Sequence, residues 1–497
     1  MTTMSDHNER FMETFAPEKT TPIEELEMKR QQVIMEYNQK ILSELLLENS
    51  LRPVRLNHVT IQGSGSQFRD TFLARQLRPL LKHPHAFTLQ SFLQNVDATA
   101  YNFTKTGSMN EVSSMIDPHS YRSPLLGRDT LELTTLITVK PVKKLFMNVG
   151  TNVGNGEGDG YLTLQWRNIF GGAESLTFDT NMASNQIGSK NRSQYLLNYS
   201  MPVFNSPDYK FSTMCYHSSR FIDYTTYHEQ GVSGITTKLS TNYLPFEKRI
   251  NQELSLETLI RSIKLEQSPN GYRNNSLIND YFLFNAGTSP KTSLVYAISH
   301  DTRNQPIFPT SGHFVKSTTE YSFLPASNFV KTTLQLSQAL KLNESAGVSV
   351  VARTGLIKAL GSSLVHPMDK FQSGGPNDIR GFWNSGIGPK QMGLSIGGDA
   401  FCGLGFSLFN RVPFLSSESN FKIHSFVNAG KLINLDTTKA DWGYSNVFKQ
   451  MNVSTGIGLM YAHPAARFEL NFTLPVAIHH GDEVRKGIQW GIGLSFL

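Results

Sequence analysis

The segment Lys370–Lys390 contains the residue pattern in this 497-residue chain that most clearly suggests a specific site. Its sequence, KFQSGGPNDIRGFWNSGIGPK, is rich in glycine and proline and lies between two strand-like regions. Arg380 stands between Ile379 and the pair Gly381-Phe382. An arginine with such neighbours often docks into a polar cavity, where carboxylates hold its planar guanidinium. The alternative is an exposed flexible loop.

Other candidates for chemistry are weaker. The glycines between Gly154 and Gly160 lie between two alternating strands, and no helix follows as a phosphate-binding loop requires, so we expect a hairpin turn. His479 and His480 have no acid or cysteine at metal-ligand spacing, which favours a solvated turn. Cys215 and Cys402 are too few for a disulfide scaffold or a four-cysteine zinc site. The sequence therefore predicts no enzyme, metal or cofactor.

The elements that must position Arg380 come from a long region of alternating sequence, which begins near residue 143. Segments of about ten residues alternate between apolar and polar side chains, as in Phe468–Leu474 and Ile488–Phe496. Strands of soluble sandwiches are usually shorter, whereas a tilted strand of this length crosses a bilayer. We therefore expect a transmembrane antiparallel β-barrel of about 16 strands. A soluble β-rich binding protein is the alternative.

Two segments precede this region. Strand-like stretches and two helical apolar faces predict a small α+β domain, with an irregular middle around residues 108–128. The first fifty residues have ten acidic and five basic side chains, a net charge of −5, and include an amphipathic helical pattern. The predicted units are 1–50, a flexible or amphipathic-helix extension, 51–140, the α+β domain, and 141–497, the barrel with a functional loop at about 360–394.

Composition excludes several classes of protein. Charged residues make up 17% of the chain and aromatic residues 11%, which opposes intrinsic disorder. The formal charge is +6, but no basic run with interleaved aromatics indicates nucleic-acid binding. The amino-terminal residues lack the pattern of a secretory signal. For a barrel, this favours an organelle outer membrane reached from the cytosol.

Two motifs resemble signatures of the outer-membrane barrel-assembly superfamily. The first is a glycine pair followed by [IV]-R-G-[FY], here Gly374, Gly375, Ile379, Arg380, Gly381 and Phe382. The second is a D-x-R-x-x-x-x-x-P-T-x-G hairpin, here Asp301, Arg303, Pro309 and Gly312. The stretch from His366 to Leu497 is similar to fungal-type barrel subunits of the mitochondrial sorting and assembly machinery. Residues 51–140 resemble, more weakly, the single polypeptide-transport-associated domain of that family.

The two ends of the barrel region contain glycines that favour a weak seam, because glycine lowers strand stability. Relief of crowding at a curved wall is the alternative reason for them. The last strand also resembles the sorting signal of mitochondrial barrels, although an ordinary alternating strand would show much of that pattern. The predicted gate residues are Leu145, Met147, Val149, Gly150 and Gly154 in the first strand and Gln489, Gly491, Gly493, Leu494 and Phe496 in the last.

The resemblance implies an insertase that folds β-barrel precursors into the mitochondrial outer membrane through a lateral gate. The α+β domain would face the intermembrane space, and the loop would fold into the lumen, with Glu469 or Asp399 receiving Arg380. Implied partners are peripheral subunits of the complex, precursors such as porin, a second barrel or another copy, and outer-membrane lipids, but no nucleic acid. A passive pore or protein-translocation channel is the alternative function.

Overall fold

The computed structural model of the chain forms two compact units. The first comprises most of residues 22–140, and the second comprises Ser66–Gln76, Lys105–Met109 and Pro141–Leu497. No helix in the described ranges is both long and apolar enough to cross a membrane. The described residues are 22–63, 67–82, 87–118, 130–154, 157–185, 192–222, 228–244, 247–265, 280–325, 327–343, 345–361, 365–391, 393–413, 419–435, 444–463, 466–493 and 496–497.

The amino-terminal elements combine helices with a small sheet of order β2-β1-β4-β3, in which β1 and β4 run parallel. Alternate apolar residues of these strands, such as Val54 and Ile137, are buried with Phe92 and Phe103 from the longest packed helix. The elements are α1 (Pro22–Glu48), β1 (Pro53–Gln62), α2 (Asp70–Gln76), α3 (Arg78–Leu81), β2 (Phe87–Thr88), α4 (Leu89–Lys105), β3 (Met109–Pro118) and β4 (Leu131–Pro141).

Residues 109–118 form strand β3, so the prediction of an irregular segment around residues 108–128 was wrong for this part. Among the described strands, β3 lies at the edge of the sheet and has β4 as its one neighbour. Because an edge strand of this kind buries little, its side chains beyond Met109 are half-buried or exposed and show no apolar alternation. The usual sequence signal of a strand is therefore missing.

The second unit contains a sixteen-stranded antiparallel sheet in which sequential strands are neighbours. A two-stranded sheet, β16 and β17, and a short helix, α5 (Asp280–Phe284), lie in its connections. The strands are β5 (Leu145–Gly154), β6 (Glu157–Arg167), β7 (Ser175–Asn185), β8 (Arg192–Pro202), β9 (Tyr209–Ile222), β10 (His228–Thr241), β11 (Asn251–Leu265), β12 (Gly287–Asp301), β13 (Gly312–Leu324), β14 (Ser327–Lys341), β15 (Ala346–Ala359), β16 (Lys390–Gln391), β17 (Leu394–Ser395), β18 (Ala400–Arg411), β19 (Phe421–Ile433), β20 (Asn452–Ala462), β21 (Arg467–Ala477) and β22 (Gly487–Gly493).

Alternation along each strand creates an apolar outer row and a polar inner row. In β21, Phe468, Leu470 and Phe472 are exposed, whereas Glu469 and Asn471 between them are buried. Such an outer row suits hydrocarbon, and the polar inner row suits a lumen. The fold is a transmembrane antiparallel β-barrel preceded by a small α+β domain, as the sequence predicted.

Strands β5 and β22 are the two edge strands of the large sheet, and we call the junction at which they would close the barrel the seam. Among the strands that the structure describes, β5 pairs with β6 alone and β22 pairs with β21 alone. Strand β22 ends at Gly493, although the alternating sequence predicted that it would continue to Phe496. Phe496 turns inward and is 5% exposed, because it packs against buried arginines. Leu494 lies outside the described residues.

Candidate functional site

The connection between β15 and β18 folds inward and supplies half of the residues of an apolar cluster inside the barrel. Gly374 has a φ of +107°, and a Cβ atom there would lie 2.6 Å from the Trp383 carbonyl oxygen. Glycine is therefore needed at this turn, and the adjacent Gly375, with a φ of +117°, has the same requirement. The buried cluster comprises Phe329, Val351, Ile357, Val365, Phe371, Ile379, Phe382, Ile387, Leu432 and Leu497.

Arg380 lies at the end of this turn and is fully buried. Its Nε donates to Glu469 Oε2 at 3.0 Å and its Nη2 donates to Glu469 Oε1 at 3.2 Å. Its Nη1 donates to Asn428 Oδ1 at 2.9 Å and to the Leu497 carbonyl oxygen at 2.7 Å. The paired bonds fix the guanidinium in one orientation, which a lysine could not reproduce.

Buried polar partners and aromatic faces surround this ion pair. Glu469 also pairs with Arg467 and accepts a 2.8 Å bond from Asn471 Nδ2. The Arg380 guanidinium carbon lies 4.7 Å from the centre of the Phe426 ring, within cation–π range. Two arginines therefore share one carboxylate in a site closed to solvent, and each depends on that carboxylate for charge compensation.

The sequence left two candidate acids for Arg380, and the geometry selects Glu469. Asp399 pairs with Lys370 instead, at 3.2 Å, and accepts a bond from the Leu435 backbone N–H. Sequence analysis missed Asn428 and Arg467, although both occupy the inward-facing rows of β19 and β21. Their positions in those alternating rows are the signal that could have identified them.

The connection between β15 and β18, which carries Arg380 and is called the arginine loop below, is hydrogen-bonded to the last strand. The Gly381 N–H donates to Gln489 Oε1 at 2.9 Å, and Gln489 Nε2 donates to the Phe382 carbonyl at 3.2 Å. Asn377 Nδ2 donates to the Ile492 carbonyl at 2.8 Å. The loop therefore braces β22, and the polar residue of the predicted sorting signal has a partner inside the barrel.

The glycines of the two seam strands make room for neighbouring side chains. A Cβ atom on Gly491 would lie 2.8 Å from Asn377 Oδ1, and one on Gly493 would lie 3.0 Å from its Nδ2. A Cβ atom on Gly150 would lie 2.3 Å from the Tyr161 hydroxyl. Close approach of Asn377 and Tyr161 gives a local reason for glycine at these three positions.

The second motif forms the turn between β12 and β13. Arg303 donates to both carboxylate oxygens of Asp301, at 2.9 and 2.7 Å. Pro309 and Gly312 lie in the turn and at the start of β13, and no described contact joins these four residues directly to Arg380. Phe308 in the same turn packs edge-on against Phe409, which lies 4.9 Å from the Arg467 guanidinium. Phe409 and Arg467 therefore lie between the turn of the second motif and the Arg380 site.

Neutralising Asp301 should destabilise the turn without abolishing the barrel. Asp301→Asn keeps the shape of the side chain but loses the paired charge, so we expect the free energy of unfolding to fall by about 1 kcal/mol. Denaturant unfolding in detergent micelles measures this change. Arg220→Gln, on an exposed strand end, is the control. Equal stability of both variants would show that the pair contributes nothing.

His366 in the arginine loop makes stability depend on pH. Burial, helped by the nearby charge of Arg261, lowers the pKa of His366 to about 4 against the attraction of Asp369. The unfolded imidazole titrates near 6.5, so it gains its proton first as the pH falls. Stability should be complete above pH 6.5 and decrease towards pH 4.

The expected loss between pH 7 and pH 5 is about 2 kcal/mol. Denaturant unfolding of the micellar protein at the two pH values measures it. His366→Asn removes the titrating group, so its stability should change less over the same interval. An identical pH dependence in both proteins would contradict the assignment to His366.

Comparison with known proteins agrees with this architecture. Residues 168–496 match the Omp85 superfamily domain. A SAM50-like protein of Schizosaccharomyces pombe is 32% identical over 467 residues, which cover 92% of this chain and 94% of the relative. The sorting assembly machinery 50 kDa subunit of Saccharomyces cerevisiae is 34% identical over 387 residues, 74% of this chain and 78% of that protein.

The crystal structure of BamA from Haemophilus ducreyi lacking POTRA domains 1–3 has a TM-score of 0.65 to this chain at 18% identity. It covers 88% of this chain and 84% of that one. The fold and the site therefore define an outer-membrane-type β-barrel with an arginine loop in its lumen. The chain belongs to the Omp85 superfamily and, within it, to the SAM50-like proteins.

Proposed function

We propose that this protein folds and inserts β-barrel precursors into the mitochondrial outer membrane by pairing client strands at the seam between β5 and β22. The observation that carries the proposal is that, among the described strands, β5 and β22 each have a paired neighbour on one side only. Insertion requires no covalent chemistry, and its free energy comes from strand pairing and apolar burial in the client.

The physical problem that such a protein solves is the cost of an unpaired strand in lipid. Each unsatisfied backbone N–H or C=O group costs several kcal/mol in hydrocarbon. A sheet edge in the membrane lets the client satisfy these groups as it enters. The proposed lateral gate provides this edge without opening any other ladder of the barrel.

The two sides of the seam differ, which supports β5 as the receiving edge. The arginine loop holds β22 through Gln489 and Ile492, whereas no described hydrogen bond joins this loop to β5. The outer rows of both strands are exposed, with Leu145 of β5 at 72% and Ile488 of β22 at 68%, so the attachment to the loop is what distinguishes the two sides. A client strand therefore meets a free apolar edge on one side and a braced strand on the other.

The partners and the orientation of the protein can be proposed from its relatives. The yeast relative is named as a subunit of a sorting assembly machinery, and we infer that peripheral subunits bind this chain as well. Its clients would be precursors such as porin, and its amino-terminal domain would face the intermembrane space. A second barrel or another copy of the chain, together with outer-membrane lipids, completes the proposed set of partners.

Depletion of the chain tests this function. Mitochondria that lack it should accumulate unassembled porin precursor, and resupply of the intact chain should restore assembly. Import of a matrix-directed precursor is the control and should continue. Normal porin assembly after depletion would contradict the proposal. A wide conductance through the purified barrel, with no effect on assembly, would favour the passive pore.

A further inference from the structure

A second buried ion cluster holds the arginine loop near its beginning. Asp369 is 5% exposed, and Arg261 Nη1 donates to one of its carboxylate oxygens. Lys291 Nζ donates to the other oxygen at 2.9 Å. Lys331 Nζ donates to the Asp369 backbone carbonyl at 2.7 Å. One loop residue therefore binds three cationic side chains of the barrel wall.

These cations come from a different part of the wall from the Arg380 site. Arg261, Lys291 and Lys331 lie on β11, β12 and β14, and Glu320 on the intervening β13 pairs with Lys291 at 2.6 Å. Arg380 is held by β19, β21 and the segment after β22. The loop thus has two separate attachments to the wall, eleven residues apart in sequence.

The charge balance makes Asp369 essential to the attachment of the loop at β11, β12 and β14. Three cationic side chains face two carboxylates in this cluster, and the side chains of Arg261 and Asp369 are 3% and 6% exposed. Removing one partner of a buried ion pair leaves a charge without compensation, which is strongly unfavourable. Loss of the Asp369 charge would leave Glu320 alone against three cations. The expected response is release of the loop from this wall.

Backbone contacts connect the two attachments. Phe371 pairs with Gly398, and Ser373 pairs with Ile387, so the loop is a hydrogen-bonded unit on both sides of its glycine turn. The Ser373 hydroxyl also donates to Asp378, two residues before Arg380, at 2.9 Å. A shift of the segment at Asp369 is therefore transmitted to the segment that carries Arg380.

We propose that Asp369 is a positioning residue for precursor insertion: it fixes the arginine loop to a part of the wall separate from its Arg380 attachment and so keeps Arg380 and the brace on β22 in place. The inference rests on the proposed function for its effect on clients, but the attachment itself is a property of the barrel. Asp369 touches no client and acts through the loop alone.

The test uses the full chain with Asp369→Asn, Asp369→Glu and a matched control, Glu253→Gln, which removes a partly exposed carboxylate that pairs with Lys238 of β10. Cys215 and Cys402 are replaced by alanine, and Ser373→Cys reports on the loop, since Ser373 is 4% exposed. A water-soluble maleimide should label this cysteine at least about tenfold faster in Asp369→Asn. Asp369→Glu retains the charge and should label slowly, as should Glu253→Gln.

Porin assembly in mitochondria that carry each variant completes the test, with heat-dependent gel migration to report barrel folding. Asp369→Asn should assemble porin several-fold more slowly with a folded barrel, and Asp369→Glu should restore the rate. Unchanged labelling in Asp369→Asn would overturn the attachment, and fast labelling with normal assembly would overturn the positioning role. If the unaltered chain assembles no porin, the proposed function fails, whereas labelling still decides the attachment.

Discussion

Replacing Arg380 by alanine should slow porin assembly at least about tenfold while the barrel remains folded in the membrane. The variant removes two bonds to Glu469 and the bonds to Asn428 and the Leu497 carbonyl. Glu469 keeps Arg467 as a partner, so the barrel tolerates the change, but the loop loses its attachment beside β22. Breaking a buried ion pair typically costs 3–5 kcal/mol, and the retained partner lowers this to about 2–3 kcal/mol.

Two further variants test whether slow porin assembly results from the lost geometry of the Arg380 guanidinium. Arg380→Lys keeps the charge but not the two-pronged geometry, so its assembly rate should lie between those of the wild type and the alanine variant. Arg220→Ala removes an exposed arginine and should have no effect. Assembly at the wild-type rate in Arg380→Ala, with a folded barrel, would show that the buried arginine does not support insertion.

Locking the seam with a disulfide should stop insertion almost completely. In a background with cysteines removed, one cysteine is placed in residues 145–154 and one in residues 487–493, and the pairs are scanned until one oxidises. An oxidised pair joins the two strands covalently, so no client strand can pair between them. The rate of porin assembly should fall to background on oxidation and return on reduction.

The matched control is a disulfide between two strands that are already paired. Cys215 and Ile235 are register partners on β9 and β10, so Cys215 with Ile235→Cys places a bridge in an ordinary ladder. Oxidation of this pair should leave assembly unchanged. A seam-locked barrel that still assembles porin at the normal rate would exclude lateral opening.

The alternating sequence predicted the barrel because each strand turns apolar residues outward and polar residues inward along its whole length. In β21 every second residue faces outward, so Phe468 and Leu470 reveal both the strand and its orientation without any knowledge of the fold. The motif around Arg380 indicated a site, but its residues alone left a docked and an exposed loop both open, because the carboxylate that binds Arg380 is far away in sequence. Strand β3 lacked the alternating signal because it lies at an edge.

The remainder of the site depends on contacts between residues far apart in sequence. Glu469 and Asp399 are both acids in the barrel region, and only the register of β21 places the first of them beside Arg380. Phe496 continues the alternation of β22, yet buried arginines draw it inward. The cluster around Asp369 joins one loop residue to three strands, and periodicity contains no information about such an arrangement.

Site-specific crosslinking of an arrested precursor tests the central claim most directly. A photoreactive residue at Val149 in β5 should form an adduct with the carboxy-terminal strand of a stalled porin precursor, and the same residue at Ile235 in the middle of the sheet should not. A precursor that crosslinks to luminal positions such as Arg353, and never to β5, would contradict insertion at the seam.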